Sequence, residues 1–175
     1  ALIPLLERKV QAHFHAHRAD DIFTAIRISK EYCLDYVVVH GTEGHLIAER
    51  LSKENAKVFV GPILTYRSKP ELANLTPSLP SILSSVGIET AITTDHPETP
   101  IQYLMLCVAI AIREGMNEYE ALKAITINPA KMCGIDNRVG SIKIGKDADL
   151  VVFESSAFNL FSKPVMVLCN GEIIN

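Results

Sequence analysis

Three of the six histidines fall within five positions, in the run His13-Phe14-His15-Ala16-His17. Val10 to Phe14 reads as a short strand and Ala19 to Tyr32 as a helix, which puts these imidazoles at the C-terminal end of the strand. Two later stretches repeat the arrangement. Tyr36-Val37-Val38-Val39-His40-Gly41 is an apolar strand ending in histidine, and Thr90-Ala91-Ile92-Thr93-Thr94-Asp95-His96 is a strand ending in Asp-His. Imidazole and carboxylate are the ligands that a borderline cation such as zinc takes when no thiolate pair is offered. A cation held this way brings the pKa of a bound water toward neutrality. A carboxylate beside that water can accept its proton as general base and pass it to a leaving nitrogen. In that chemistry His15 and His40 are ligands, and Asp95 is ligand, base or both.

A lone strand-end histidine is more often a hydrogen-bonded core residue than a ligand; metal-compatible groups at three of four successive strand ends bring the two readings level. Side chains alternate along a strand, so His13 and His15 point to the same side. His17 has the same parity but can already lie in the loop, and periodicity does not choose among the three. His45 reads as a solvent-facing helix residue. Asp20 and Asp21 sit in a first helical turn, where the helix dipole favours carboxylates without any catalytic role.

These groups need a scaffold, and the chain supplies one by alternation. After the first strand, Ile22, Ala25, Ile26 and Cys33 share one helical face. Consecutive valines in the second strand indicate burial on both faces, as in a parallel sheet. A helix follows to about Asn55, then a strand from Lys57 to Val60 that ends at Gly61-Pro62. The long loop beyond it carries Arg67 and Lys69, which could hold an anionic part of a substrate or simply be solvated. Thr76-Pro77 and Thr99-Pro100-Ile101-Gln102 are helix starts, the second a capping box, and so is Asn117 to Glu120, whose helix carries Leu122 and Ile125. The order βαβαβαβα implies parallel strands with right-handed crossovers. After Asn128-Pro129 the texture becomes turn-rich. Ala148 to Phe153 and Val165 to Cys169 read as strands, with Asn170-Gly171 as a hairpin turn. A boundary near Gly134 separates an α/β domain, 1–134, from a small β segment, 135–175.

Composition narrows the function classes. The 175 residues are 48% hydrophobic and 21% charged with a net charge of −3, so the chain folds and carries no basic patch for nucleic acid or anionic membrane. The four cysteines form no CxxC pair, which argues against a thiolate zinc site and for a reducing, cytoplasmic setting. The longest apolar run, Tyr103 to Ile112, is too short to span a bilayer, and no signal peptide is visible. The chain opens on Ala1 and almost directly onto a strand, which suggests a processed or truncated product, although removal of Met before Ala is an ordinary alternative.

With those residues laid out, the chain resembles the amidohydrolase superfamily, in particular its imidazolonepropionase-like and dipeptidase-like branches. His15-Ala16-His17 is similar to the family's fifth barrel strand, whose first histidine binds metal. Val39-His40-Gly41 is similar to the sixth, which also ends in a ligand histidine. Thr93-Thr94-Asp95 is similar to the eighth, whose aspartate binds metal and shuttles protons. Ala124-Ile125-Thr126-Ile127-Asn128-Pro129-Ala130-Lys131 resembles the helix after the barrel, and Gly140-Ser141-Ile142 through Gly145 to Phe153 resembles the return into the small β domain.

The family's first-strand His-x-His pair and its fourth-strand Lys or Glu have no counterpart. Reading His13 and His15 as that first pair leaves too few βα units and misplaces the later motifs. The resemblance therefore implies the C-terminal half, strands five to eight, of a TIM-type (β/α)8 barrel, followed by part of a small β domain. Four strands cannot close an eight-stranded barrel. The exposed edges imply a complement: a missing N-terminal half, another chain or self-association. The function implied is that of a metal-dependent hydrolase of C–N bonds in a small amide or cyclic amide. His15 and His40 would hold a divalent cation, zinc foremost, with iron or manganese as alternatives. Asp95 would be ligand and proton shuttle, and His17, Arg67 and His96 weaker supporting or substrate-contacting groups. Two other readings remain: a non-catalytic half-barrel awaiting a partner chain, and an open α/β binding domain whose histidines are structural.

Overall fold

Side-chain parity and strand register together explain the architecture of the computed structural model, which describes residues 2–174. Ala1 and Asn175, the outer limits of the two expected domains, lie outside the described residues. A short helix α1 (Ile3–Leu6) precedes β1 (Ala12–Ala16), α2 (Ala19–Glu31) and β2 (Tyr36–His40). Then come a 3-10 turn (Gly44–Leu46), α3 (Ala48–Lys53), β3 (Lys57–Val60), a second 3-10 turn (Pro70–Leu72), α4 (Leu79–Ser85) and β4 (Glu89–Ile92). The sheet has the order β1-β2-β3-β4 and every pair is parallel.

In register, Phe14, Val38, Val58 and Thr90 lie side by side, as do Ala16, His40, Val60 and Ile92. That face packs against the helices. Ile22 and Ile26 of α2, Leu51 of α3 and Leu79 and Leu83 of α4 close on Ala16, Val38, Val58 and Val60 in one buried cluster. The opposite face carries His13, His15, Val39 and Phe59, with Val37 and Ala91. Val37 and Val38 are both fully buried, as the valine run predicts.

Beyond β4 a 3-10 turn (Ile101–Tyr103) leads into α5 (Leu104–Arg113), then α6 (Glu118–Ala124) and α7 (Ile127–Met132). Cys107, Val108 and Ala111 of α5 meet Ala121 and Ala124 of α6 in a second core. Met132 of α7 seats on Val37 and Ala91, closing part of the sheet's other face. The chain ends in an antiparallel sheet, β5 (Leu150–Phe153), β6 (Pro164–Cys169) and β7 (Glu172–Ile173), in that order. Asn170 and Gly171, both at positive φ, turn β6 into β7, as the dipeptide predicts. From 133 to 174 no residue is buried. This segment abuts α7 at Gly140, where a Cβ would come within 2.7 Å of Ala130 Cβ and 2.9 Å of Thr126 O. Among the described residues no helix is long and apolar enough to cross a membrane.

Several local expectations shift. Strand β1 starts later than Val10, which is exposed. Cys33 lies past the end of α2, exposed and at positive φ, and shares no buried face. The helix expected to run to Asn55 breaks at Ile47, which leaves the helical region at φ −130°. The helix expected from Thr76 begins at Leu79. The Thr99 capping box is not made: Thr99 Oγ1 donates to Leu64 O at 2.9 Å, tying the β3 loop down instead. Asn117 does cap α6, accepting from Tyr119 N and Glu120 N. Leu122 is exposed, because the buried face of α6 is the Ala121/Ala124 side.

Candidate metal centre

The later start of β1 decides how its histidines point. His13 and His15 both lie inside the strand on the face away from α2 to α4, and His17 follows in the turn to α2. His15, His17 and His40 come together: a ring nitrogen of each lies within 4.8 Å of those of the other two. His15 Nε2 is 3.0 Å from His17 Nε2, and the rings of His17 and His40 stack at 4.6 Å. The cluster stands at the C-terminal ends of adjacent parallel strands, where α/β folds gather their chemistry.

Each ring is oriented by an outer partner. His40 Nδ1 donates to Gly61 O at 2.6 Å, which leaves Nε2 with its lone pair free. Gly61 can approach only because it lacks a side chain: at φ +146° a Cβ would sit 1.9 Å from Thr93 O. His17 Nδ1 is 2.7 Å from Thr42 Oγ1, so its Nε2 faces the cluster. Thr42 is itself buried, following His40-Gly41 at the end of β2. His40 adopts φ 74°, a backbone strain of the kind that collects at functional sites.

Electrostatics keep two of the rings neutral. Burial, then the neighbouring His40 and His15, lower His17 to about 4. Burial also lowers His40, against the opposing pull of its bond to Gly61 and of the Asp95 charge. Three convergent imidazoles, two of them held unprotonated at neutral pH, match the donor set of a tetrahedral or open zinc-type site.

The other expected residues lie outside the trio. Asp95 is exposed beyond β4 at φ 52°, near enough for its charge to favour protonation of His40. His96 is exposed beside it. Arg67 is exposed and donates to Leu75 O at 3.0 Å within its own loop. His13 lies tilted against the Phe59 ring at 5.7 Å between centroids and contacts Gln11 Oε1 at 3.1 Å. His45 is half-buried, with Nδ1 donating to Thr42 O. Glu71, not singled out from the sequence, brings Oε1 to 3.7 Å from His17 Nε2. Nothing in the local sequence marks Glu71 or Thr42; only the tertiary meeting of three loops does.

The profile of the amidohydrolase family matches residues 6–174. The chain belongs to the amidohydrolase family. An amidohydrolase from Thermotoga maritima superposes with a TM-score of 0.93 at 42% identity, over 98% of this chain and 45% of that one. The amidohydrolase tasK of Hapsidospora irregularis is 27% identical over 177 residues, 98% of this chain but 18% of its own length. An imidazolonepropionase of Thermoplasma acidophilum is 39% identical over 75 residues, 42% of this chain and 18% of that protein. This amidohydrolase chain thus spans less than half the length of each of these relatives. Its α/β fold with a parallel sheet agrees with the sequence expectation.

Proposed function

We propose that the chain carries part of the active site of a metal-dependent hydrolase that cleaves C–N bonds in a small amide or cyclic amide. One observation carries this reading: three imidazoles from adjacent strand ends converge within 4.8 Å in a member of the amidohydrolase family. His15, His17 and His40 form the ligand set from which a divalent cation is held, zinc foremost, with iron or manganese as alternatives. Such a cation supplies Lewis acidity, bringing a water's pKa toward neutrality and polarising the amide carbonyl. Gly61 O and Thr42 Oγ1 fix the rings of His40 and His17 with the donor nitrogens inward. Asp95, exposed beyond β4, takes the proton of the attacking water and delivers it to the leaving nitrogen. His96 and Arg67 are assigned supporting or substrate-contacting roles. The four free cysteines support a reducing, cytoplasmic setting.

Elemental analysis of the chain, purified without added metal or a histidine tag, tests the reading. Near-stoichiometric zinc, iron or manganese, lost in His15→Ala and His40→Ala, is the expected result. A chain that takes up no metal even from a zinc titration overturns the proposal that these residues suffice for a site.

A second reading has its own support. β1 and β4 are both sheet edges, and the chain spans 45% of the Thermotoga relative. On this reading the chain is a half-barrel, without catalysis of its own until strands from a partner chain or another copy complete the sheet. Light scattering decides it: a stable monomer with hydrolase activity overturns it.

A further inference from the structure

Glu43 touches three loops at once. Its main-chain N–H donates to His17 O at 2.9 Å. Its Oε2 accepts from Ala19 N at 2.7 Å, and its Oε1 accepts from Asn74 Nδ2 at 2.9 Å. Ala19 is the first residue of α2, just past His17 and Arg18. Asn74 belongs to the loop after β3, the same loop whose Glu71 stands 3.7 Å from His17 Nε2. Adjacent Thr42 meets the His17 ring itself.

One half-buried carboxylate therefore joins the segment that presents His17 to the loop that presents Glu71. An ionised acceptor suits both of its partners: a main-chain N–H at a helix start, where the dipole favours negative charge, and a side-chain amide. A helix cap alone accounts for the Ala19 contact. It does not account for the Asn74 contact, which lies on a different loop; the main-chain bond to His17 holds whatever side chain stands at position 43.

We propose that Glu43 is a positioning residue for the histidine cluster: it ties the loops after β1, β2 and β3 together and so fixes His17 and Glu71 relative to one another. The inference rests on the metal-centre reading only for the role of His17 as a ligand. The positional claim stands in the metal-free chain.

The test uses Glu43→Ala and Asn74→Ala in the 175-residue chain, the second because it leaves the Ala19 contact and the start of α2 untouched. Ring ¹⁵N relaxation of the metal-free protein reads the order of His17 against His40, which Gly61 holds independently. The expected result is loss of order at His17 and not at His40 in both variants. Zinc titration should then show a Kd raised about 10- to 100-fold, the range seen when an outer partner of a ligand is lost. Glu43→Gln can still accept from Ala19 N–H and donate to the Asn74 amide oxygen, and it should restore most of the wild-type order and affinity. A His17 ring as ordered as in wild type in both alanine variants overturns the proposal, as does an unchanged zinc Kd in both. Failure of the wild-type chain to bind zinc overturns the metal-centre reading instead, and His17 order then decides for Glu43.

Discussion

The strand ends of the parallel sheet are built in two different ways. β1 and β2 end in rings clamped from outside: His40 against Gly61 O, and His17 against Thr42 Oγ1. β4 leads to Asp95, whose carboxylate has no hydrogen-bond partner or ion pair among the described residues; its main chain is held instead, the N–H by Thr93 Oγ1 at 3.2 Å and the carbonyl by the Glu98 N–H at 2.9 Å. His40 and Asp95 share a left-handed backbone, so the chain turns in the same sense at both ends. The contrast fits a division of labour. Ligands gain from burial and fixed orientation, which keep imidazoles neutral and aimed. A proton carrier gains from staying hydrated, ionised and free to move between two partners.

The largest effect that would sharpen this contrast lies at its free end. Asp95→Asn should lower turnover of the assembled enzyme by about 10²- to 10⁴-fold, the usual contribution of a general acid or base, with far-UV circular dichroism unchanged. Near-normal turnover would remove Asp95 from the chemistry. At the clamped end, His40→Ala should weaken zinc binding by at least about 100-fold by calorimetry, whereas Asp95→Asn should weaken it far less if Asp95 is a shuttle before it is a ligand. Equal losses would make Asp95 a full ligand.

Acid should act on the clamped end. His17 titrates near 6.5 when unfolded and at about 4 in the fold, so below 6.5 the unfolded chain binds a proton that the native one refuses. Stability present at neutral pH is therefore lost as pH falls from 6.5 toward 4, by up to about 3 kcal/mol. Denaturant melts of metal-free protein at several pH values, with His17→Gln flattening the slope, would show it. The smallest effect returns to β4: Thr93→Val removes only the tether of the Asp95 N–H, and should shift the melt by no more than about 1 kcal/mol.

Much of this was legible in the chain itself. The valine run of β2, the alternation of strands with helices and the Asn117 and Asn170-Gly171 signals are local rules, and the fold obeys them. His15 and His40 were visible because strand ends are local too. His17 joined them for a reason that no periodicity holds: the turn after β1 is fixed by Glu43 and Thr42 from another strand's loop. The Thr99 box failed for a similar reason, since Leu64 O offered its hydroxyl a tertiary partner. Glu71 reaches His17 from a loop more than fifty residues further along the chain, and tertiary folding alone pairs them.

Gly140 gives the junction between the α/β unit and the terminal sheet an unusual character. The Gly140 backbone there, at φ +84°, meets the Ala130 methyl group and the Thr126 carbonyl, which fill the space that a side chain would need. Such a seam discriminates by size and is indifferent to polarity or charge. Any larger residue would act as a wedge between the tail and α7. The terminal segment is in that sense held at two unlike points, one set by the absence of a side chain at Gly140 and the other by the Phe158 ring against the second core.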